Sequence, residues 1–113
     1  MRQLEHGINL FNEHRFWEAH EAWEELWLAS AGEEKRFLQG LIQLAAAYHH
    51  VQRGTLSGGL RLFERSAAKL VHFGDGYLGV RFHAALASAG EQAKRLASGE
   101  EIAPAEWPKL RYN

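Results

Sequence analysis

Apolar residues recur along the chain at the spacing of a helical face. Leu4, Ile8 and Phe11 are four and three residues apart, which predicts a first helix over about residues 2–13. Residues 16–30 contain no glycine or proline and place apolar side chains at 16, 19, 23, 26 and 27. This regular pattern predicts a second helix with one face buried in the core.

Three more helices are predicted downstream, separated by glycine-containing breaks. Their apolar periods cover about residues 33–53, 56–73 and 80–97, with Gly54 and Gly99 at two of the ends. Residues 100–113 form a tail with two prolines, and we expect Trp107 and Tyr112 to dock it onto the body. The fold class is therefore all-α: a single-domain bundle of about five helices, arranged as antiparallel hairpins.

A weak internal repeat also runs through the helices. The large and small residues at 16, 19, 23 and 26 have counterparts at 56, 59, 63 and 66. This spacing resembles the helical hairpins of tetratricopeptide repeats, in which one helix nests on the next. Because any amphipathic helix needs apolar residues at steps of three and four, ordinary helix packing is the favoured explanation of this spacing.

Composition narrows the classes of function. With 113 residues, 46% of them hydrophobic and 24% charged, residues 1–113 have the size and composition of one globular domain. The net charge of −1, with no long basic run, argues against nucleic-acid binding. No apolar window suits a signal peptide or a membrane span, so we expect a soluble, cytoplasmic protein without a membrane partner. The chain has no cysteine, so a metal would be bound through nitrogen and oxygen.

The second helix carries the strongest candidate chemistry. His20 and Glu24 are one helical turn apart, on the side of the helix that also carries Phe16, Trp23 and Trp27. A carboxylate beside aromatic rings requires a donor, a cation or a metal ion, because its burial alone is unfavourable. The two side chains at i and i+4 can chelate one ion or bond to each other.

The third helix could complete a metal site. Its polar residues form a stripe at alternating steps of three and four, whereas His49 is expected to point elsewhere. If the stripe faces the second helix, Gln43 and His50 join His20 and Glu24 as candidate ligands. Two imidazoles and a carboxylate suit zinc, iron(II) and manganese alike, so the ligand set does not select one divalent ion. The wall of this pocket is then predicted to consist of Trp27, Trp23, Phe16 and Gln39.

Two segments resemble a known family. FNEHRFWEAHEAWEELW, followed by FLQGLIQLAAAYHHVQRGTLSGGLRLFERS, is similar to the bacterial and archaeal family named domain of unknown function 309. The motif H-x-x-x-E-x-x-W is met by His20, Glu24 and Trp27, and the segment Q-G-L-I-Q by residues 39–43. Over about residues 4–70, the resemblance implies a small helical protein with no established activity and a motif suggested to bind metal. Thr55 stands where the family usually has asparagine, a departure that touches a turn more than the proposed site.

Two hypotheses therefore remain open, and the sequence does not decide whether the protein is an enzyme. The first is a metal site between the second and third helices, serving hydrolytic or redox chemistry. The second is a non-enzymatic helical scaffold for a peptide, a protein or a second copy of the chain, in which His20 and Glu24 form a structural hydrogen-bond network. A solvent-connected pocket with unpaired ligand atoms favours the first, and a pair that is fully buried and mutually satisfied favours the second.

Overall fold

Five α-helices dominate the computed structural model, which describes residues 1–113. Helix α1 spans Arg2–Asn12, α2 Phe16–Leu28, α3 Gly32–Arg53, α4 Leu56–Leu70 and α5 His83–Ala97. Two short strands, β1 (Val80–Arg81) and β2 (Arg111–Tyr112), pair antiparallel with Val80 opposite Tyr112. The all-α prediction with about five helices is confirmed. None of the helices combines the length and the apolar composition that a membrane span requires.

Helices α1 to α4 pack on their neighbours in sequence as antiparallel pairs. The start of α1 meets the middle of α2, where Trp23 Nε1 donates a hydrogen bond to Leu4 O over 3.1 Å. The first half of α3 meets the last part of α4, where Ser66 Oγ donates to Gly40 O over 2.8 Å. Because Gly40 has no side chain, Leu70 also packs directly against the α3 backbone. These close contacts fix the order of the helices in the bundle.

A single hydrophobic core of 25 buried residues joins the helices to the tail. At its centre Phe16 stacks on Tyr48, with ring centroids 5.3 Å apart, and Phe11 meets both rings edge-on. Trp107 from the tail covers this cluster, with its ring centroid 5.6 Å from that of Phe16. The predicted docking of the tail through Trp107 is thus seen in the structure.

Helix α5 begins later than the sequence predicts. The periodicity indicated a start near Val80, but residues 80–81 form β1 and the helix begins at His83. Leu78 and Gly79 have positive φ angles of 51° and 83°, so the chain turns here instead of continuing a helix. Asp75 Oδ1 accepts hydrogen bonds from the backbone N–H groups of Phe82 and His83 and so satisfies the start of α5.

Two other helices are shorter than predicted. Helix α2 ends at Leu28 rather than near residue 30, and α4 ends at Leu70 rather than at 73. The tail contains regular secondary structure, namely a short 3₁₀ turn over Pro104–Glu106 and the strand β2. It is attached to α1 through Asn12, whose amide exchanges two hydrogen bonds of 2.8 Å with the backbone of Leu110.

Candidate functional site

His20 and Glu24 lie at the edge of α2 that faces α3. His20 Nε2 is 3.1 Å from Glu24 Oε2, a charge contact when the imidazole is protonated. The imidazole is largely covered, with 16% of its side-chain surface exposed, whereas the carboxylate is 51% exposed. The predicted pairing of the two side chains is therefore present, and it opens to solvent on the glutamate side.

The indole of Trp17 holds the His20 ring from the preceding turn. The two rings are stacked at 26°, with centroids 4.5 Å apart. The same indole lies 4.9 Å from the ring of His49 on α3. The expectation that His49 points away from α2 is wrong. Because the two helices are antiparallel, the first turn of α2 meets the last part of α3, where His49 lies.

His49 is in a positively charged environment. Burial is the main cause that lowers the pKa of its imidazole, and the charges of Arg53, His50 and His20 lower it further. The imidazoles of His20 and His49 are linked through Trp17, whose ring contacts both. Trp17 therefore contacts two imidazoles: that of His20 on its own helix, and that of His49, rather than His50, on α3.

The other two candidate ligands have separate contacts. His50 Nδ1 is 2.6 Å from Thr55 Oγ1, and that hydroxyl donates to the carbonyl of His50, so the pair closes the end of α3. Gln43 Oε1 accepts a hydrogen bond of 2.9 Å from Lys69 Nζ on α4. The polar stripe of α3 therefore turns towards α4 and solvent at these two positions. Across the chain, no three His, Asp or Glu side chains converge in a way that could hold a metal ion.

The predicted wall residues are divided between the core and the surface. Phe16 and Trp23 are fully buried, and the indole N–H of Trp23 is used by α1. Trp27 is half-buried, with Lys35 Nζ 4.3 Å from its ring centroid. Gln39 is also half-buried. Trp27 lies on the same α2 edge as His20 and Glu24, one turn beyond Glu24, whereas Phe16 and Trp23 belong to the core.

Two buried nitrogens on this edge lack a hydrogen-bond partner. They are His20 Nδ1 and Trp27 Nε1, which belong to the first and last residues of the H-x-x-x-E-x-x-W motif. Buried polar atoms without partners are uncommon in folded proteins and call for a reason. The motif thus carries unused hydrogen-bonding capacity at both of its ends.

A surface depression next to the pair was not anticipated from the sequence. It has a volume of about 470 Å³, and it is lined by Trp17, His49, His50, Arg53 and Thr55. The sequence did contain a signal for this depression, because antiparallel packing brings the start of one helix to the end of the next. Trp17 and the pair His49–His50 occupy those two positions.

The fold and this edge define a class: small antiparallel α-helical proteins that carry a His–Glu pair one turn apart on the second helix. The chain belongs to the domain of unknown function 309 family (DUF309), whose model matches residues 4–62. A solved structure with a similar fold is that of the conserved hypothetical protein TTHA0068 from Thermus thermophilus. The two are 34% identical with a TM-score of 0.71, over 80% of this chain and 94% of that one. No curated protein matches the chain.

Proposed function

We propose that the protein is a non-enzymatic helical scaffold in which the His20–Glu24 pair holds Trp17, on the same helix, against His49 of α3. The observation that supports this best is that no third His, Asp or Glu side chain joins the His20–Glu24 pair, whose Nε2 and Oε2 face each other at 3.1 Å. The other two candidate ligands are hydrogen-bonded elsewhere. The predicted four-ligand set is therefore not gathered at one point.

Stacking is the larger of the two contributions expected from His20. Aromatic pairs contribute about 0.5–1.5 kcal/mol beyond the area they bury. A helical i, i+4 ion pair at the surface contributes about 0.3–0.5 kcal/mol, and the exposure of Glu24 places this pair in that range. The imidazole thus acts mainly as a flat ring that holds Trp17, on its own helix, in contact with His49 of α3.

Substitution separates these contributions. We expect His20→Ala to lower the free energy of unfolding by about 1–2 kcal/mol, and Glu24→Gln by less than about 0.5 kcal/mol. Urea denaturation with and without EDTA measures both. His72→Ala and Glu21→Gln are matched controls at exposed positions. A His20→Ala protein as stable as the wild type, or a wild type destabilised by EDTA, would contradict the scaffold role.

A scaffold requires a binding partner, and we propose that this partner is a cytoplasmic peptide or protein, or a second copy of the chain. Light scattering gives the oligomeric state of the purified protein, and a pull-down with tagged chain tests for other partners. A protein that is monomeric and captures no partner reproducibly would count against this part of the proposal.

A divalent-metal site is the second candidate, favoured by the unpaired Nδ1 of His20 and by the second imidazole, that of His49, near the same edge. His20 and Glu24 supply two donors, whereas catalytic zinc sites use three protein ligands. The residues present therefore suit a weak site at most, in which water would supply the remaining positions. No hydrolytic or redox step follows from two donors.

Metal analysis distinguishes the two candidates. If a site exists, protein purified without a chelator or an affinity tag should contain metal, or should melt at a higher temperature when Zn²⁺, Mn²⁺ or Fe²⁺ is added. His20→Ala should abolish the effect and His72→Ala should retain it. Absence of bound metal together with absence of a thermal shift would overturn the metal site and would not contradict the scaffold proposal.

A further inference from the structure

The depression between the start of α2 and the end of α3 combines an exposed aromatic ring with uncompensated positive charge. Its five lining residues are Trp17, His49, His50, Arg53 and Thr55. None is acidic, and its volume of about 470 Å³ lies within the usual range for a small-molecule site. The depression is open to solvent, and its lining supplies cationic and hydrogen-bonding groups for an anion.

The aromatic part of the site is Trp17. Trp17 is 48% exposed as a residue, although tryptophans usually bury most of their surface. Contacts with His20 and His49 hold the ring in place, so an exposed aromatic surface is kept in one orientation. A fixed indole can stack on a planar ring of a ligand at little cost in conformational entropy.

The cationic part of the site is at the end of α3. Arg53 forms none of the ion pairs within the chain, and its guanidinium is permanently charged. His49 and His50 lie within about one turn of Arg53 on the same helix and line the same depression. An anion placed here would meet three nitrogen-bearing side chains on one helical turn and a half.

We infer that this depression binds a small ligand that carries both a planar aromatic ring and an anionic group. The ring stacks on Trp17, and the anion is held by Arg53 with His49 and His50 beside it. A nucleoside monophosphate and an aromatic carboxylate share this chemistry. The inference shares Trp17 with the scaffold proposal, whereas Arg53 belongs to the inference alone, so the Arg53 variant tests it separately.

Titration calorimetry and ¹H–¹⁵N spectra of the whole chain test the inference with named probes. Adenosine 5′-monophosphate and indole-3-acetate each carry a ring and an anion, whereas adenosine and inorganic phosphate each carry one part. We expect one of the first two to bind, to shift the indole N–H resonance of Trp17 and to leave that of the buried Trp23 unchanged. Whichever binds identifies phosphate or carboxylate as the anion.

Substitutions assign the two parts. Trp17→Ala and Arg53→Gln should each weaken binding about tenfold, through lost stacking and a lost charge-assisted contact. Leu28→Ala and Arg2→Gln are matched controls at exposed positions away from the depression, and they should bind as the wild type does. Binding of neither ring-bearing anion at millimolar concentration would overturn the inference. So would equal binding of adenosine, or unchanged affinity in the Trp17 and Arg53 variants.

Discussion

The indole of Trp23 occupies the space in which a side chain at Gly7 would lie. A Cβ atom at Gly7 would be 2.5 Å from Trp23 Cδ1 and closer still to Nε1. Real atoms do not approach so closely, and the buried indole is held by its hydrogen bond to Leu4 O. Helices α1 and α2 can therefore pack at this distance only because residue 7 has no side chain.

Gly7→Ala should consequently destabilise the protein, although alanine is the better helix former. The propensity gain is about 1 kcal/mol, whereas forcing a methyl group into a filled core typically costs about 1–3 kcal/mol, and a rigid indole favours the upper end. We expect a net loss of about 1–2 kcal/mol in urea denaturation.

Gly90→Ala on α5 provides the matched control, because a Cβ there would meet no atom within 4 Å. It should stabilise the protein by about 0.5–1 kcal/mol. If Gly7→Ala and Gly90→Ala changed the free energy of unfolding in the same direction, the contact between Gly7 and Trp23 would not be the cause of the change in Gly7→Ala.

A buried hydrogen-bond chain links α3 to α5 and the tail. Tyr48 Oη donates to Gln92 Oε1 over 2.7 Å, and Gln92 Nε2 donates to Glu106 O over 2.6 Å. Tyr48→Phe would leave the amide oxygen of Gln92 without a donor, at a cost of about 1–3 kcal/mol. Denaturation measures the loss, with Tyr77→Phe, at a half-buried phenol, as the control. Equal stability of the Tyr48 and Tyr77 variants would show that the chain of bonds contributes nothing.

The turn before α5 should make the stability of the protein depend on pH. The backbone N–H of His83 is the largest cause that lowers the pKa of the Asp75 carboxyl, and that of Phe82 adds to it. A lowered carboxyl pKa gives stabilisation that is fully present above the unfolded-state pKa and is lost as the pH falls through the folded-state value. Melting temperatures of the wild type should therefore fall in acid, and those of Asp75→Asn should fall less steeply. Glu64→Gln, at an exposed position, should retain the wild-type profile, and a wild-type slope in Asp75→Asn would contradict the assignment.

The attachment of the tail depends on Asn12. Asn12→Ala removes both of its hydrogen bonds with the backbone of Leu110, and we expect a loss of about 2 kcal/mol. Limited proteolysis should then cut the tail earlier than in the wild type. Asn9→Ala, at an exposed position of the same helix, should change neither quantity, and a tail that stays protected in Asn12→Ala would contradict this role.

The helices could be predicted because their apolar faces are local features of the sequence. The pattern of Phe16, Ala19 and Trp23 is enough to define α2 and its buried side. Strand β1 could not be found in this way, because its partner strand lies far along the chain, at Arg111–Tyr112. Helical periodicity carries no information about such a pairing.

The site was predicted only in part for a related reason. His20 and Glu24 are on one helix, so their spacing alone brings them together. Which imidazole of α3 meets them depends on how that helix is rotated, and consecutive residues point about 100° apart. The sequence favoured His50, whereas the rotation observed brings His49 to Trp17 and leaves His50 with Thr55.

The bonds between Asn12 and Leu110 join positions that are 98 residues apart. The four antiparallel helices need only contacts between neighbours, which close short loops and form early. Tail docking closes a far longer loop, so it is expected to follow them. During synthesis the aromatic cluster around Phe16 and Tyr48 therefore stays open on one side until Trp107 has left the ribosome.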